Sequence, residues 1–483
     1  MKLLSILLAA AGVISAQTYT ATSLNPSNSQ YEVANVLGLN NHGQVLVDLC
    51  TNGICVGADR TVGIWANGVI TPLPVPDGYS YYAQPEWYAI NDSGTVVGTL
   101  LVTGASSQVG HVFIWKDGVA TMLPDAPYSA EFSGEGCPSS ANGQSASYGI
   151  NAAGHILGST TYSPPQSGLE CSATWIYDGS TYRIVPFPEP SQCRGLPPAY
   201  GGGVVANVPP YFNDADQVVE NVQNIFCGEA FPEEQPALIQ PDGSYSFLPL
   251  GSLGSAAASA INDVGQVLGS YGSPAAGLAF WDGGGVQNLG SGGYAHLNQA
   301  GQVLYYNPPL AQEGSMYIWK NPASTVVNVP SPAPQNLGPA AFNDAGQIGA
   351  GGGGSAAYLL TPSGACAEDV TSKVSITRTG FRYNHSTGFF ELIGSVTNTS
   401  NTPIPGPISI VVDDLPANAT LVGIAGVTLC DAPQGSPYVN DSQFGAGQFL
   451  EPGASFSGSL SFIDTAQTGF NYRLRVLAGT GRR

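Results

Sequence analysis

The sequence has few positive charges and few charged residues of any kind. Of its 483 residues only 13 are Lys or Arg, against 33 Asp or Glu, and charged residues make up 10% of the chain. A chain with a net charge of -20 has too few cations to neutralise a phosphate backbone, so we expect no binding to nucleic acid. Gly (63) and Pro (37) are abundant, which disfavours long helices. Aromatic residues reach 10%, and they supply enough apolar surface for a packed core.

Long hydrophobic runs are confined to the N-terminus. Residues 3–13 form an apolar run behind Lys2, and small residues follow up to Ala16, a pattern typical of a signal peptide cleaved after Ala16. No later segment approaches the roughly 18 apolar residues that a membrane-spanning helix needs, so we expect no membrane span. The sequence therefore predicts a signal peptide over residues 1–16 and a mature protein that is secreted, periplasmic or at the cell surface.

One short phrase recurs seven times along the chain. It consists of an apolar residue, Asn, usually Asp or Asn, any residue, Gly, and then Gln or a substitute before a Val-rich run. An Asx residue followed by Gly between two apolar runs predicts a tight β-hairpin turn. In the fourth copy Asp216 stands where the other copies have Gly. The copies begin at Asn40, Asn91, Asn151, Asn213, Asn262, Asn298 and Asn343.

Each of these hairpins precedes a second one whose first strand is aromatic. Six units thus have four strands and the seventh has three, so we expect residues 19–24 to supply the missing strand beside residues 358–360. The prediction is an all-β fold with a seven-bladed β-propeller over residues 17–362. We expect the aromatic residues of the third strands to pack between blades, namely Trp65, Phe113, Trp115, Trp175, Phe280 and Trp319.

The recurring phrase, together with His111, Val112 and Phe113 ahead of an aromatic strand, resembles the HAF family of bacterial extracellular repeats. The resemblance covers residues 19–362, and it implies export and a repeat array without any catalytic residues to transfer. From residue 363 to residue 483 short alternating strands separated by Pro, Asn and Gly predict a β-sandwich. This segment resembles the immunoglobulin-like module that ends many secreted bacterial proteins.

The two faces of such a ring should differ in role. The Asn-Asp-x-Gly turns lie on one face, where we expect a structural role. Long connections lie on the other face, and they contain a dense aromatic run. We expect every Glu residue of the ring, Glu220 included, to lie in these connections or at their borders. We expect residues 75–88, 131–147 and 186–211 to gather there, and carbohydrates suit aromatic faces beside carboxylates. The candidate ligand-binding residues are Tyr81, Tyr82, Glu86 and Trp87. The alternative, which we favour, is that these are solvated loop residues and aromatic side chains that pack the loop against the ring.

The eight cysteines favour disulfides over metal binding. Their number is even, an exported chain meets an oxidising compartment, and neither a Cys-x-x-Cys pair nor His residues at ligand spacing are present. We therefore expect no metal and no cofactor, although calcium in the acidic loops stays open. The positions of the cysteines on the repeat map predict local pairs: Cys50 with Cys55, Cys137 with Cys171, Cys193 with Cys227, and Cys366 with Cys430.

Motifs for catalysis are missing from the sequence. It contains no sialidase-type repeat, no Gly-x-Ser-x-Gly elbow, no His-Glu-x-x-His and no phosphate-binding Gly-x-x-x-x-Gly-Lys. The favoured interpretation is a monomeric, non-catalytic binding or surface-interaction protein whose ligand is a glycan or an extracellular protein. The alternative is a carbohydrate-active hydrolase that uses Glu residues of the long-loop face. A purely structural envelope component is a third reading.

Overall fold

The computed structural model describes the part of the chain outside the N-terminal segment and several long connections. The described residues are 16–25, 30–51, 60–81, 87–104, 109–124, 126, 144–162, 171–186, 188, 210–223, 234–272, 277–283, 285–307, 315–320, 323–328, 337–352, 356–364, 366–416, 418–430, 432–445, 447–464, 469–479 and 481–483.

Each copy of the recurring phrase joins the first two strands of an antiparallel sheet, and these sheets are consistent with propeller blades. We number them blades 1 to 7 in chain order. Blade 1 contains β2 (Tyr31–Leu39), β3 (Val45–Thr51), β4 (Arg60–Ala66) and β5 (Val69–Pro72). Blade 2 contains β6 (Tyr79–Tyr81), β7 (Tyr88–Ile90), β8 (Val96–Val102), β9 (Gly110–Lys116) and β10 (Val119–Met122). Blade 3 contains β11 (Gln144–Ile150), β12 (Ile156–Tyr162), β13 (Cys171–Tyr177) and β14 (Tyr182–Ile184).

The remaining blades repeat the same order. Blade 4 contains β15 (Tyr211–Phe212), β16 (Val218–Gln223), β17 (Glu234–Ile239) and β18 (Tyr245–Phe247). Blade 5 contains β19 (Ala256–Ile261), β20 (Val267–Tyr271), β21 (Gly277–Trp281) and β22 (Val286–Gly290). Blade 6 contains β23 (Gly293–Leu297), β24 (Val303–Asn307), β25 (Ser315–Lys320) and β26 (Ala323–Asn328). Blade 7 contains β27 (Gly338–Phe342), β28 (Ile348–Gly352) and β29 (Ala356–Pro362).

The N-terminal strand completes blade 7, as the sequence predicts. β1 (Ala16–Ser23) runs antiparallel to β29, with Tyr19 opposite Pro362 and Ser23 opposite Tyr358. Its first three residues also pair in parallel with β26, so one continuous sheet joins blades 6 and 7. Ala16, predicted as the last residue of the signal peptide, thus lies within β1.

The innermost strand of blade 2 departs from the prediction. We expected residues 79–88 in a long connection, but Tyr79–Tyr81 forms β6. This strand pairs with the C-terminal end of β8, and β7 pairs with the N-terminal end of β8. Residues 82–86, between the two segments, lie outside the described part. The reason for the difference is packing, because the Tyr79 ring makes an edge contact with Phe113 at 4.9 Å between centroids.

The aromatic residues of the third strands are buried between neighbouring blades, which confirms their predicted packing role. Trp115 packs with Leu46 and Val62 of blade 1, and Trp175 packs with Val97 of blade 2. The six residues are between 1% and 8% exposed, at Trp65, Phe113, Trp115, Trp175, Phe280 and Trp319.

The C-terminal segment forms additional sheets that enclose a second core. One sheet contains β30 (Glu368–Asp369), β41 (Arg473–Ala478), β35 (Ile408–Asp413), β38 (Pro437–Asn440) and β37 (Gly426–Val427). A second contains β31 (Val374–Arg378), β32 (Arg382–Asn384), β33 (Phe389–Asn398), β40 (Ser455–Asp464) and β36 (Ala419–Leu421). A short ladder joins β34 (Ile404–Pro405) to β39 (Phe449–Leu450), and a 3-10 helix spans Thr371–Lys373. Phe462, Ile408 and Val412 are buried where the two large sheets face each other.

The structure describes only some of the cysteines in the four predicted disulfides. Cys366 and Cys430 form the predicted disulfide in the C-terminal segment, with a Cα–Cα distance of 5.8 Å. Cys50 is buried and disulfide-bonded, but its predicted partner Cys55 lies outside the described residues. The other two pairs stay predictions, because Cys137, Cys193, Cys227 and the side chain of Cys171 also lie outside the described part.

Candidate functional site: a cleft over two rings of hydrogen bonds

The seven Asn residues that begin the repeat phrase form a closed ring of hydrogen bonds, which we call the Asn ring. Each Asn is buried, and its Nδ2 donates to the backbone oxygen of the corresponding Asn in the next blade over 2.9 to 3.4 Å. The bonds run from Asn40 to Asn91, Asn151, Asn213, Asn262, Asn298 and Asn343, and from Asn343 back to Asn40.

The residue after each Asn forms a second ring, which we call the acceptor ring. Its backbone N–H donates to the side-chain oxygen of the corresponding residue in the next blade. Asn41, for example, donates to Asp92 Oδ1 at 2.8 Å, and Asp344 donates to Asn41 Oδ1 at 2.9 Å. The other links join Ala152 to Asp214, Asp214 to Asp263, Asp263 to Gln299, and Gln299 to Asp344.

The acceptor ring is interrupted at one place. Six of the seven links are made, and the missing one lies between blades 2 and 3, where Asp92 faces Ala152. An Ala side chain has no oxygen to accept the Asp92 N–H. Asp92 and Ser93 are exposed there, so solvent reaches the interruption.

The C-terminal segment lies over these turns. Thr420 Oγ1 donates to Asp214 Oδ2 at 2.9 Å, and the Val427 N–H donates to the backbone oxygen of Asp344 at 3.2 Å. Gly435 approaches the ring so closely that a Cβ placed there would lie 2.9 Å from His42 Nε2. These contacts bring the second core against the tight-turn face of the blades.

A cleft of about 570 Å³ separates the two parts where they do not touch. Its floor is polar and belongs to the repeat turns, including Asp92, Ser93 and Ala152 at the interruption. Its roof is mostly apolar and belongs to the C-terminal segment, with Leu421 and Ile424 among its residues. A concave space with an apolar wall and a few convergent polar groups is the usual form of a binding site.

The buried carboxyls of the floor hold protons more tightly than free Asp does. Burial, together with the nearby charge of Asp92, raises the pKa of Asp344 to about 7. Burial also raises the pKa of Asp214 and Asp263, and the adjacent Asp214 carboxylate adds to the shift at Asp263. The floor is therefore less negative than its four aspartates suggest. No group of three or more His, Cys, Asp or Glu in the described ranges is arranged to hold a metal ion.

Of the four candidate residues named from the sequence, Tyr81 and Trp87 are described, and neither lines this cleft. Tyr81 donates its hydroxyl to the backbone oxygen of Leu73 and stacks on Trp115, and burial raises its pKa to about 12. Trp87 packs against the same core, and Ser147 Oγ donates to its backbone oxygen at 2.9 Å. Tyr82 and Glu86 lie outside the described residues, so ligand binding by this group stays a prediction.

The cleft was not predicted from the sequence, because we expected only a structural role for the tight-turn face. The signal was present in the alignment of the seven copies: the position after Asn holds Asn, Asp or Gln in six copies and Ala only at Ala152. What a single sequence could not show is that residues 412–437 lie over this position.

Comparison with known proteins gives fold-level likenesses only. No family model matches the chain, and no curated protein matches its sequence. The β-propeller domain of the Trilobed protease from Pyrococcus furiosus aligns at 12% identity over 76% of this chain and 93% of its own, with a TM-score of 0.42. YCF48 bound to D1 peptide aligns at 11% identity over 73% and 98%, with a TM-score of 0.37. An oligogalacturonate lyase in complex with manganese aligns at 10% identity over 64% and 96%, with a TM-score of 0.36. At such values none of their functions transfers to this chain.

In the residues that the structure describes, the helix that is assigned as an element is the 3-10 helix Thr371–Lys373. In the described part of the chain, no helix is long and apolar enough to cross a membrane.

Proposed function

We propose that this protein is an exported, non-catalytic binding protein that holds its ligand in the cleft over the acceptor ring. In this proposal residues 17–362 form a seven-bladed β-propeller of HAF-type repeats, and residues 363–483 form an immunoglobulin-like sandwich that covers the turn face. The ligand is a glycan or a segment of an extracellular protein. The observation that carries the proposal is the cleft, where a polar floor and an apolar roof come from different parts of the chain.

The hydrogen bonding of the floor favours binding over catalysis. Glycoside hydrolysis needs two carboxyl groups that can approach the substrate from opposite sides. Asp92 instead accepts two hydrogen bonds from Asn41, and Asp214 accepts bonds from Ala152 and Thr420. Carboxyls held in this way support the ring and are poorly placed to transfer protons.

Export is supported by the Cys366–Cys430 disulfide, since disulfides persist in oxidising compartments.

A pair of matched variants tests the proposal. Ser93 and Val264 both follow their Asn by two positions, in blades 2 and 5, and both are exposed, but only Ser93 lines the cleft. We expect that a ligand identified for the mature protein on glycan and peptide arrays is lost by Ser93→Trp and retained by Val264→Trp. Isothermal calorimetry measures both affinities. Equal binding by the two variants would place the site away from the cleft.

A further inference from the structure

The interruption in the acceptor ring lacks one hydrogen-bonding side chain. At the corresponding position of blade 1, Asn41 uses its carboxamide to bridge two aspartates. Its Oδ1 accepts the Asp344 N–H at 2.9 Å, and its Nδ2 donates to Asp344 Oδ2 at 2.8 Å and to Asp92 Oδ2 at 2.9 Å. The carboxamide therefore satisfies one backbone donor and two carboxylates together.

Blade 3 has the same pair of flanking carboxyl groups without the carboxamide, except that Asp214 Oδ2 also accepts Thr420 Oγ1 at 2.9 Å. Ala152 stands between Asp92 of blade 2 and Asp214 of blade 4, just as Asn41 stands between Asp344 and Asp92. The Ala152 N–H still donates to Asp214 Oδ1 at 2.8 Å, so the backbone keeps its place in the ring. The position opens into the cleft, whose lining includes Asp92, Ala152 and Asp214. What is lacking is one acceptor and the N–H groups of an amide.

We infer that the cleft binds a primary carboxamide, the side chain of an Asn or Gln residue in a protein segment, which fills the seventh position of the acceptor ring. The carboxamide oxygen accepts the Asp92 N–H, and the amide N–H groups donate to the carboxylates of Asp92 and Asp214. This inference rests on the proposed function and narrows its ligand to a peptide. A secondary amide such as the acetamido group of a sugar has one N–H and can satisfy only one of the two carboxylates.

Small probes test the carboxamide directly. The probes are N-acetyl-asparagine methylamide, its aspartate counterpart and N-acetylglucosamine, each titrated into the full mature chain by ligand-observed NMR. The Asn compound should bind about tenfold or more tightly than the Asp compound. The Asp side chain of the probe has no N–H to donate, and its negative charge would lie beside the carboxyl groups of Asp92 and Asp214. N-acetylglucosamine that binds as tightly as the Asn compound, or an Asn compound that does not bind at its solubility limit, overturns the inference.

A variant that supplies the missing group from the chain gives the second test. Ala152→Asn should close the acceptor ring, raise the unfolding temperature and weaken the Asn probe by about tenfold or more. The matched control is Ala153→Asn, one residue further along and outside the cleft lining, which should leave probe binding unchanged. Probe binding that survives Ala152→Asn, in a variant that unfolds cooperatively, overturns the inference. A ligand lost by Ser93→Trp but kept by Ala152→Asn overturns this inference alone and leaves the proposed function standing.

Discussion

Glu220 shows how one residue can depart from a repeat for a packing reason. Blades 2, 3 and 5 have Gly at the corresponding position of their second strand, and a Cβ there would meet a Trp ring at 2.4 to 3.1 Å. β17 of blade 4 contains no Trp, and Glu220 occupies the corresponding position in that blade. The Glu220 side chain is buried, its Oε1 accepts from Thr174 at 3.3 Å, and its Oε2 has no partner among the described residues. The sequence placed this Glu at a loop border, whereas the structure has it inside β16.

Glu220 should make the stability of the protein depend on pH. Burial raises its pKa in the folded state from 4.5 to about 7, so the folded chain holds a proton that the unfolded chain releases between those values. Stability from this group is therefore full below about pH 4.5 and is lost as the pH rises to about 7. We expect Glu220→Gln to unfold like the wild type at pH 4 but to be more stable by about 1–3 kcal/mol at pH 8.

Urea unfolding at several pH values measures this difference. Glu32→Gln, on β2 of blade 1, is the control for a general effect of removing one acidic charge. Parallel stability profiles for the wild type and Glu220→Gln would show that the buried carboxyl does not govern the dependence.

At the scale of the element, the repeat turn performs two tasks with one side chain. In blade 5, Asn262 Oδ1 accepts the Gln266 N–H at 2.9 Å and closes its own turn, while Nδ2 donates to Asn298 of the next blade at 3.3 Å. Asp could do only the first, because an ionised carboxylate has no donor. This requirement accounts for the constancy of Asn in all seven copies.

The fourth copy has Asp216 where the other copies have Gly. Asp216 has a φ of 57°, and its carboxylate is hydrogen-bonded to His155 and Asn151.

Removing one member of the Asn ring should cost more than an ordinary hydrogen bond. Asn262→Ala leaves the Gln266 N–H without its acceptor and removes one of the two hydrogen bonds to the Asn298 oxygen, which still accepts the Gly301 N–H at 3.1 Å. We expect a loss of about 2–3 kcal/mol in the free energy of unfolding. The exposed Asn288 accepts a similar local bond from Gly290 at 2.8 Å, so Asn288→Ala should cost about 1 kcal/mol or less. Chemical denaturation of both variants measures the contrast. Equal losses would mean that the ring adds nothing to an isolated turn.

At the scale of the whole molecule, closure depends on β1. This strand brings the start of the described chain to β29, across most of the sequence. Its Tyr19, and Leu24 just after it, are buried in the cores of the neighbouring blades. The Asn ring closes at a different place, from Asn343 to Asn40 at 2.9 Å. Two independent closures, one by strand pairing and one by side chains, thus hold blade 7 against its neighbours.

A covalent link at the strand closure should stabilise the molecule. Thr20 lies opposite Thr361 in the register of β1 and β29. We expect the oxidised Thr20→Cys, Thr361→Cys double variant to gain about 2–4 kcal/mol over its reduced form, because the link removes conformational freedom from the unfolded chain. Thermal unfolding with and without reductant measures the gain, and Thr20→Cys alone is the control. A double variant that forms the bond without any gain would show that β1 does not limit unfolding.

The sequence by itself determined the β-strand content, the seven turns and the pairing of residues 19–24 with residues 358–360, because these follow from local turn chemistry and from a strand count. It also determined the burial of the third-strand aromatics, since apolar residues at regular spacing need a neighbouring sheet. Only the tertiary structure decided that the tight-turn face carries the cleft. The two rings join residues 36 to 303 positions apart, and the roof comes from a segment with no repeat pattern. Such contacts depend on how blades and sheets meet in space, and a single sequence does not encode that in any local pattern.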